Sequence, residues 1–126
     1  MIAVDTSSFV AFLAGDPGRD VEWIRFSIQD ETLVIPPVVT AELFSARNLS
    51  SHMKTIITEI PTLDLLPGFW QRTGAMRAKI LSKGRKARLA DTMIGVFCLD
   101  HKIPLITRDG DYRYFVKSFG LDLRMG

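Results

Sequence analysis

Cysteine is almost absent from this chain. Cys98 stands alone among 126 residues, which excludes an internal disulfide framework and suits a reducing compartment. Long apolar runs are missing as well. Charges interrupt every hydrophobic stretch before the roughly 18 residues that a bilayer crossing needs. The first residues carry no basic flank and Asp5 breaks their apolar start, so they do not read as a signal peptide. The expectation is a soluble cytoplasmic domain without membrane contact. Histidine is scarce too: His52 and His101 lie in polar surroundings, with no Ser or Cys nucleophile context for a triad. No glycine-rich phosphate loop occurs, and Asp5-Thr6-Ser7 lacks the second aspartate of an aspartyl phosphatase. The last absence is local. Between Asp64 and Asp91 there is no acidic residue, while Arg72, Arg77, Lys79, Lys83, Arg85, Lys86 and Arg88 fall in that gap, although the formal net charge is only +2. Such a segment suits either a polyanionic partner or a solvated helix face followed by a basic loop.

What is present is an alternation of short buried strands and helices in a chain sized for one domain, residues 1–126. Ile2-Ala3-Val4 predict a strand that delivers Asp5 to its C-terminal end, with a helix over Ser7 to Leu13 following. Asp5 is then either that helix's cap or a residue of a ligand site, since open α/β sheets bind ligands at that edge. Gly15-Asp16-Pro17-Gly18 stop the helix. Asp20 to Ile28 predict a second one, with Val21, Ile24 and Ile28 at helical spacing and Trp23 and Phe26 also apolar. That surplus of apolar surface fits core packing or a docking face for a partner chain. Thr32 to Ile35 predict a strand, and Pro37 opens a helix running to Arg47 that sets Glu42 on a face with Val38, Val39, Ser45 and Ala46. Ser51 to Ile60 predict a helix, Leu63 to Leu66 a short strand, Phe69 to Leu81 a helix, and Ser82 to Ala87 a basic loop. Arg88 to Leu99 is apolar nearly all round and predicts a central helix. Within it Asp91 heads the stripe of Ile94, Gly95 and Cys98, needs a charge partner, and is expected to have its pKa raised by neighbouring like charges. Gly95 would admit a close neighbour. Pro104 to Thr107 predict the last buried strand, Asp109 leaves it within an Asp-Gly turn, and Leu121 to Arg124 add a terminal strand. The fold class is α/β, a three-layer sandwich with a mostly parallel central sheet flanked by helices.

Asp5 and Asp109 leave strand ends, and Glu42 and Asp91 come from helix faces expected to point inward. In a parallel sheet these positions converge on one cleft. Ionised carboxylates at such range repel strongly, by roughly 4 kcal/mol per pair at about 4 Å and an effective dielectric near 20. Protons or a divalent cation relieve that, and all-oxygen ligands favour Mg²⁺ or Mn²⁺ over zinc. The spacing beyond Asp109 does not continue into an EF-hand loop.

Asp5 in Val-Asp-Thr-Ser, Glu42 in Thr-Ala-Glu-Leu, Asp91 in Ala-Asp-Thr-Met-Ile-Gly and Asp109 in Ile-Thr-Arg-Asp-Gly-Asp-Tyr resemble the four acidic motifs of PIN-domain nucleases. The resemblance covers the whole chain and is strongest to the VapC-type toxins of toxin–antitoxin pairs. It implies a Mg²⁺- or Mn²⁺-dependent endoribonuclease in which Asp5, Glu42, Asp91 and Asp109 hold the metal, with Asp111 auxiliary and Ser7 and Thr107 beside the site. It further implies hydrolysis leaving 5′-phosphate and 3′-hydroxyl ends, inhibition by a cognate antitoxin, and a homodimer. Arg72, Lys83, Arg85, Lys86 and Arg88 are the expected contacts to the RNA backbone, and single-stranded or looped RNA is the expected target. Two other readings stand beside this one: a housekeeping RNA-processing nuclease of the same fold, and a non-catalytic module that binds RNA or protein.

Overall fold

The computed structural model of the chain describes residues 1–125. Ile2–Val4 form strand β1, and helices α1 (Thr6–Ala14) and α2 (Arg19–Gln29) follow. Strand β2 (Leu33–Val34) leads into α3 (Pro37–Phe44), α4 (Ser51–Glu59), α5 (Phe69–Ser82) and α6 (Leu89–His101). Strand β3 (Leu105–Thr107), a 3-10 turn (Gly110–Tyr112), helix α7 (Arg113–Phe119) and strand β4 (Leu123–Met125) complete the described chain. All strand pairings are parallel, in the order β2-β1-β3-β4.

Both faces of the sheet are covered. Ala3 and Val4 are successive and so point to opposite faces, yet both are fully buried, as are Leu105 and Ile106. Helices α1 and α2 pack on one another and on β3, while α6 packs with α3 and α5. The three-layer expectation therefore holds. The strand order reverses at β1: the chain moves outward to β2, then returns to place β3 on β1's other side. That is a topological switch point, and it opens a crevice at the C-terminal ends of β1 and β3. Among the described residues no helix is long and apolar enough to cross a membrane.

Four local expectations are corrected. Leu63 to Leu66 form no strand: Ile35 N donates to Pro61 O at 2.9 Å, after which the chain leaves the sheet. Leu63 and Leu65 instead pack on the core from irregular backbone, and Pro67-Gly68 turn the chain into α5. Helix α3 stops at Phe44 rather than Arg47, where Ser45 Oγ bonds back to Ala41 O at 2.8 Å and competes with the next turn. The terminal strand is Leu123–Met125, shifted from Leu121 to Arg124, because Leu121 is a buried plug before the strand begins. Helix α7 was not expected at all.

Candidate active site

The ends of β1 and β3 set the first two acids of the site. Asp5 follows β1 directly, is only 4% exposed, and caps α1 by accepting from Thr6 N at 2.8 Å. The cap and ligand readings of Asp5 need not compete, because the cap bond from Thr6 N engages only Oδ1 and leaves the carboxylate lining the pocket. Asp5 Oδ2 accepts from Ser7 Oγ at 3.0 Å and from Thr107 Oγ1 at 2.9 Å. Thr107 Oγ1 in turn accepts from Asp109 N at 3.0 Å, which ties the end of β3 to Asp5. Asp109 Oδ1 accepts from Asp111 N at 2.9 Å and so starts the 3-10 turn.

Helices supply the other two acids. Asp91 lies in the first turn of α6, where a carboxylate is favoured by the helix dipole. Its expected charge partner is Arg88, whose Nε donates to Asp91 Oδ2 at 2.9 Å. The Arg88 Nη2 also reaches Asp109 Oδ2 at 3.4 Å, so one guanidinium bridges two of the acids. Glu42 departs from expectation: it is exposed rather than inward-facing, because α3 runs along the rim of the crevice. Thr6 Oγ1 donates to Glu42 Oε1 at 2.7 Å and holds it at that rim.

Asp5, Thr6, Ser7, Glu42, Arg88, Ala90, Asp91 and Asp109 line one pocket of about 290 Å³. Among the described residues no three acid, histidine or cysteine side chains form a ready-made metal cluster. Hydroxyls of Ser7, Thr107 and Tyr112 and the guanidinium of Arg88 donate to the acids and offset part of their mutual repulsion.

The electrostatics are uneven. Burial pushes the Asp5 carboxyl above its usual range, outweighing the bonds from Thr107, Ser7 and Thr6, and the charge of Asp91 adds to the rise. Asp91 is raised too, chiefly by burial, against the lowering effects of Arg88 and Tyr112. Like charge, from Asp109, is only a minor contributor there, so the expected direction holds but not its expected cause. The donor set is entirely oxygen. Its most buried member, Asp5, accepts only neutral hydroxyls and a backbone N–H. Such a set fits a hard divalent cation such as Mg²⁺ or Mn²⁺.

The remaining predicted residues spread outward. Asp111 is exposed and lines a small neighbouring cleft with Lys86, Arg88 and Asp91 rather than the acidic pocket. Arg72 is engaged elsewhere, donating to Asp100 from Nη1 and Nη2 and from Nη2 to Pro67 O at 3.1 Å. Lys83, Arg85 and Lys86 are exposed on the loop before α6, with Arg85 lying 5.0 Å over the Tyr114 ring. Arg77 Nε donates to Ala87 O at 2.6 Å and anchors that loop to α5. Two further participants escaped the sequence reading. Tyr112 is buried with its hydroxyl between Asp5 and Asp91. Asp20 is fully buried and holds Arg108 next to Asp109. The signals were faint: a tyrosine three residues past a strand-end aspartate, and an acid one turn before the buried Ile24.

The crevice at a parallel switch point, with acids delivered from two strand ends and two helices, defines an α/β domain carrying an acidic site. Residues 2–117 match the model of the PIN domain, and the chain belongs to that family. No curated protein matches it in sequence. Among solved structures, the fold is similar to VapBC-5 of Mycobacterium tuberculosis, a member of the VapBC family of toxin–antitoxin systems. That likeness has a TM-score of 0.67 at 16% identity, over 99% of this chain and 98% of the other. It is similar also to VapBC2 of Rickettsia felis, solved bound to a DNA fragment from its promoter. There the TM-score is 0.75 at 18% identity, with the same 99% and 98% coverage.

Proposed function

We propose that this chain is a metal-dependent endoribonuclease and the toxin of a toxin–antitoxin pair. The observation that carries the reading is the pocket: Asp5, Glu42, Asp91 and Asp109, from four different elements, line one crevice, and the most buried of them has no cation of its own. Membership of the PIN-domain family and the likeness to two toxin–antitoxin structures support the same reading.

Asp5, Glu42, Asp91 and Asp109 would hold Mg²⁺ or Mn²⁺, which supplies charge neutralisation of a phosphodiester and activation of water. The chain's own residues do the positioning. Ser7 and Thr107 aim the Asp5 carboxylate, Thr6 fixes Glu42, and Thr107 couples the Asp109 backbone to Asp5. Arg88 lines the pocket beside Asp91 and Asp109, and its guanidinium would meet a phosphate oxygen of the RNA there. Lys83, Arg85 and Lys86 extend the positive surface along the incoming RNA backbone, a contribution that weakens with salt. Asp111 serves as an auxiliary acid beside Arg88.

Two surface regions suit the partners. A cleft of about 560 Å³ between α2 and α4, lined by Ile28, Leu33, Ile56 and Ile60 together with Glu31 and Glu59, adjoins the helix that exposes Trp23 and Phe26. We assign it to the antitoxin. A second groove, formed by Pro36, Val38, Ala41, Phe69, Trp70 and Met93 among others, is almost wholly apolar, and its Trp70 is 61% exposed. A second copy of the chain is assigned there, and the site of action is the cytoplasm. The test of the central reading is cleavage of a structured RNA by the purified protein with Mn²⁺ or Mg²⁺, lost in EDTA and lost in Asp5→Asn. Undiminished cleavage in EDTA overturns it.

A further inference from the structure

Asp5 and Asp91 come from different elements, a strand end and a helix, and one side chain touches both. The Tyr112 hydroxyl lies 3.3 Å from Asp5 Oδ1 and 3.2 Å from Asp91 Oδ1. Its ring is buried, with 1% of the residue exposed. A phenol has one proton to donate, so its oxygen serves two carboxylates only while it stays nearly equidistant from them. The remaining donors to these acids are local or belong to one acid alone: Thr6, Ser7 and Thr107 serve Asp5, and Arg88 serves Asp91.

The height of that ring is set from below. Tyr112 and Phe115 pack with ring centroids 5.9 Å apart. Phe115 presses so closely on α6 at Gly95 that a Cβ there would lie 2.5 Å from Phe115 Cε1. Asp91 and Gly95 are one helical turn apart on the same face of α6. The two rings therefore run along that face, Phe115 over Gly95 and Tyr112 over Asp91.

We propose that Tyr112 is a positioning residue that fixes the separation of Asp5 and Asp91 for cation binding, with Phe115 seated on Gly95 setting its height. The proposal rests on reading the acidic pocket as a metal-dependent nuclease site. Groups that orient metal ligands typically change affinity about 10–100-fold when removed. The experiment is calorimetric titration of Mn²⁺ into the wild type and Tyr112→Phe, which loses one oxygen and keeps the ring, together with kcat and KM for RNA cleavage. The Mn²⁺ Kd rises about 10-fold and kcat falls, while KM for RNA and the unfolding midpoint in EDTA stay near the wild type. A purely structural tyrosine would shift the midpoint and leave Mn²⁺ affinity alone. Gly95→Ala weakens Mn²⁺ binding as well, and Phe115→Leu placed in the same chain restores it by making room for the new methyl. Unchanged Mn²⁺ affinity in Tyr112→Phe overturns the proposal. Loss in Tyr112→Phe without loss in Gly95→Ala overturns the part assigned to Phe115. A wild type that binds no Mn²⁺ removes the nuclease reading itself, a result distinct from both.

Discussion

Two aspartates of this protein leave solvent almost completely, and their surroundings are opposites. Asp20, at the start of α2, is 0% exposed and Asp5 is 4% exposed. Asp20 is met by a full positive charge: Arg108 Nε and Nη2 donate to its two oxygens at 2.7 and 3.0 Å. Gly18 leaves room for that pair, since a Cβ there would lie 2.4 Å from Asp20 Oδ1. Asp5 is met only by hydroxyls and one backbone N–H. Burial pushes both carboxyls upward, but at Asp20 the bonds from Arg108 and its charge work against it, and the net shift is down. At Asp5 the net shift is up. One acid is paired with a cation of the fold; the other meets none, as the proposed metal site requires. The two are linked, because Arg108 lies between Thr107, which bonds Asp5, and Asp109. The ion pair thus anchors the loop that completes the acidic pocket.

The sharpest way to break this contrast is Asp20→Asn. The change removes the charge that Arg108 meets but leaves that partly exposed guanidinium able to reach water, so the variant loses about 2 kcal/mol at neutral pH, the scale of hydrogen bonds to a charged group, or roughly 6–8 °C in thermal midpoint. Because the folded pKa of Asp20 lies below its unfolded value, this contribution is present above the ordinary carboxylate range and is lost as pH falls through the folded pKa. The difference between wild type and variant, read by urea unfolding, therefore shrinks in acid. Asp5→Asn runs the other way and is smaller. Asn keeps the cap and removes a desolvated charge, which gains about 1 kcal/mol in EDTA at neutral pH, the usual size for relieving a strained functional site. With a folded pKa above its unfolded value, Asp5 carries its penalty at neutral pH, and the variant's advantage fades as pH falls through that raised pKa. The smallest effect belongs to Arg88→Gln. It removes an exposed cation that competes for Asp91 and Asp109, so Mn²⁺ binds about 2–3-fold more tightly by calorimetry, the scale of an exposed ion pair.

These differences were only partly legible in the sequence. Strand-end acids are the easier ones to place, because a short apolar run ending at Asp5, or two residues before Asp109, marks the element and the edge even where the acid's role stays open. A helix-borne acid is harder. Asp91 was legible because the apolar run around it is long. Glu42 was misjudged as inward because α3 has apolar residues on several sides and ends early, so its face could not be read from spacing alone. The short run Leu63 to Leu66 imitates a strand in composition, but strand formation depends on a partner edge that the turn at Pro61 carries it away from. Helix α7 is seven residues long and follows a turn rich in Asp and Gly, leaving too few periods to detect. The Asp20–Arg108 pair joins residues 88 positions apart, and no local pattern foretells it.

The most direct measurement of the central claim is the thermal shift produced by saturating Mn²⁺ at neutral pH in three proteins: wild type, Asp5→Asn and Asp20→Asn. A cation bound to the folded state alone raises the wild-type midpoint, by roughly 5–10 °C at about 100-fold excess over its Kd. Asp20→Asn starts lower and keeps most of that rise, because all four acids of the pocket remain and saturating Mn²⁺ fills a loosened site as well. Asp5→Asn starts as high as the wild type or higher and loses the rise. An equal Mn²⁺ shift in wild type and Asp5→Asn, or none in the wild type, would contradict the assignment of Asp5 as the acid that the fold leaves for an external cation.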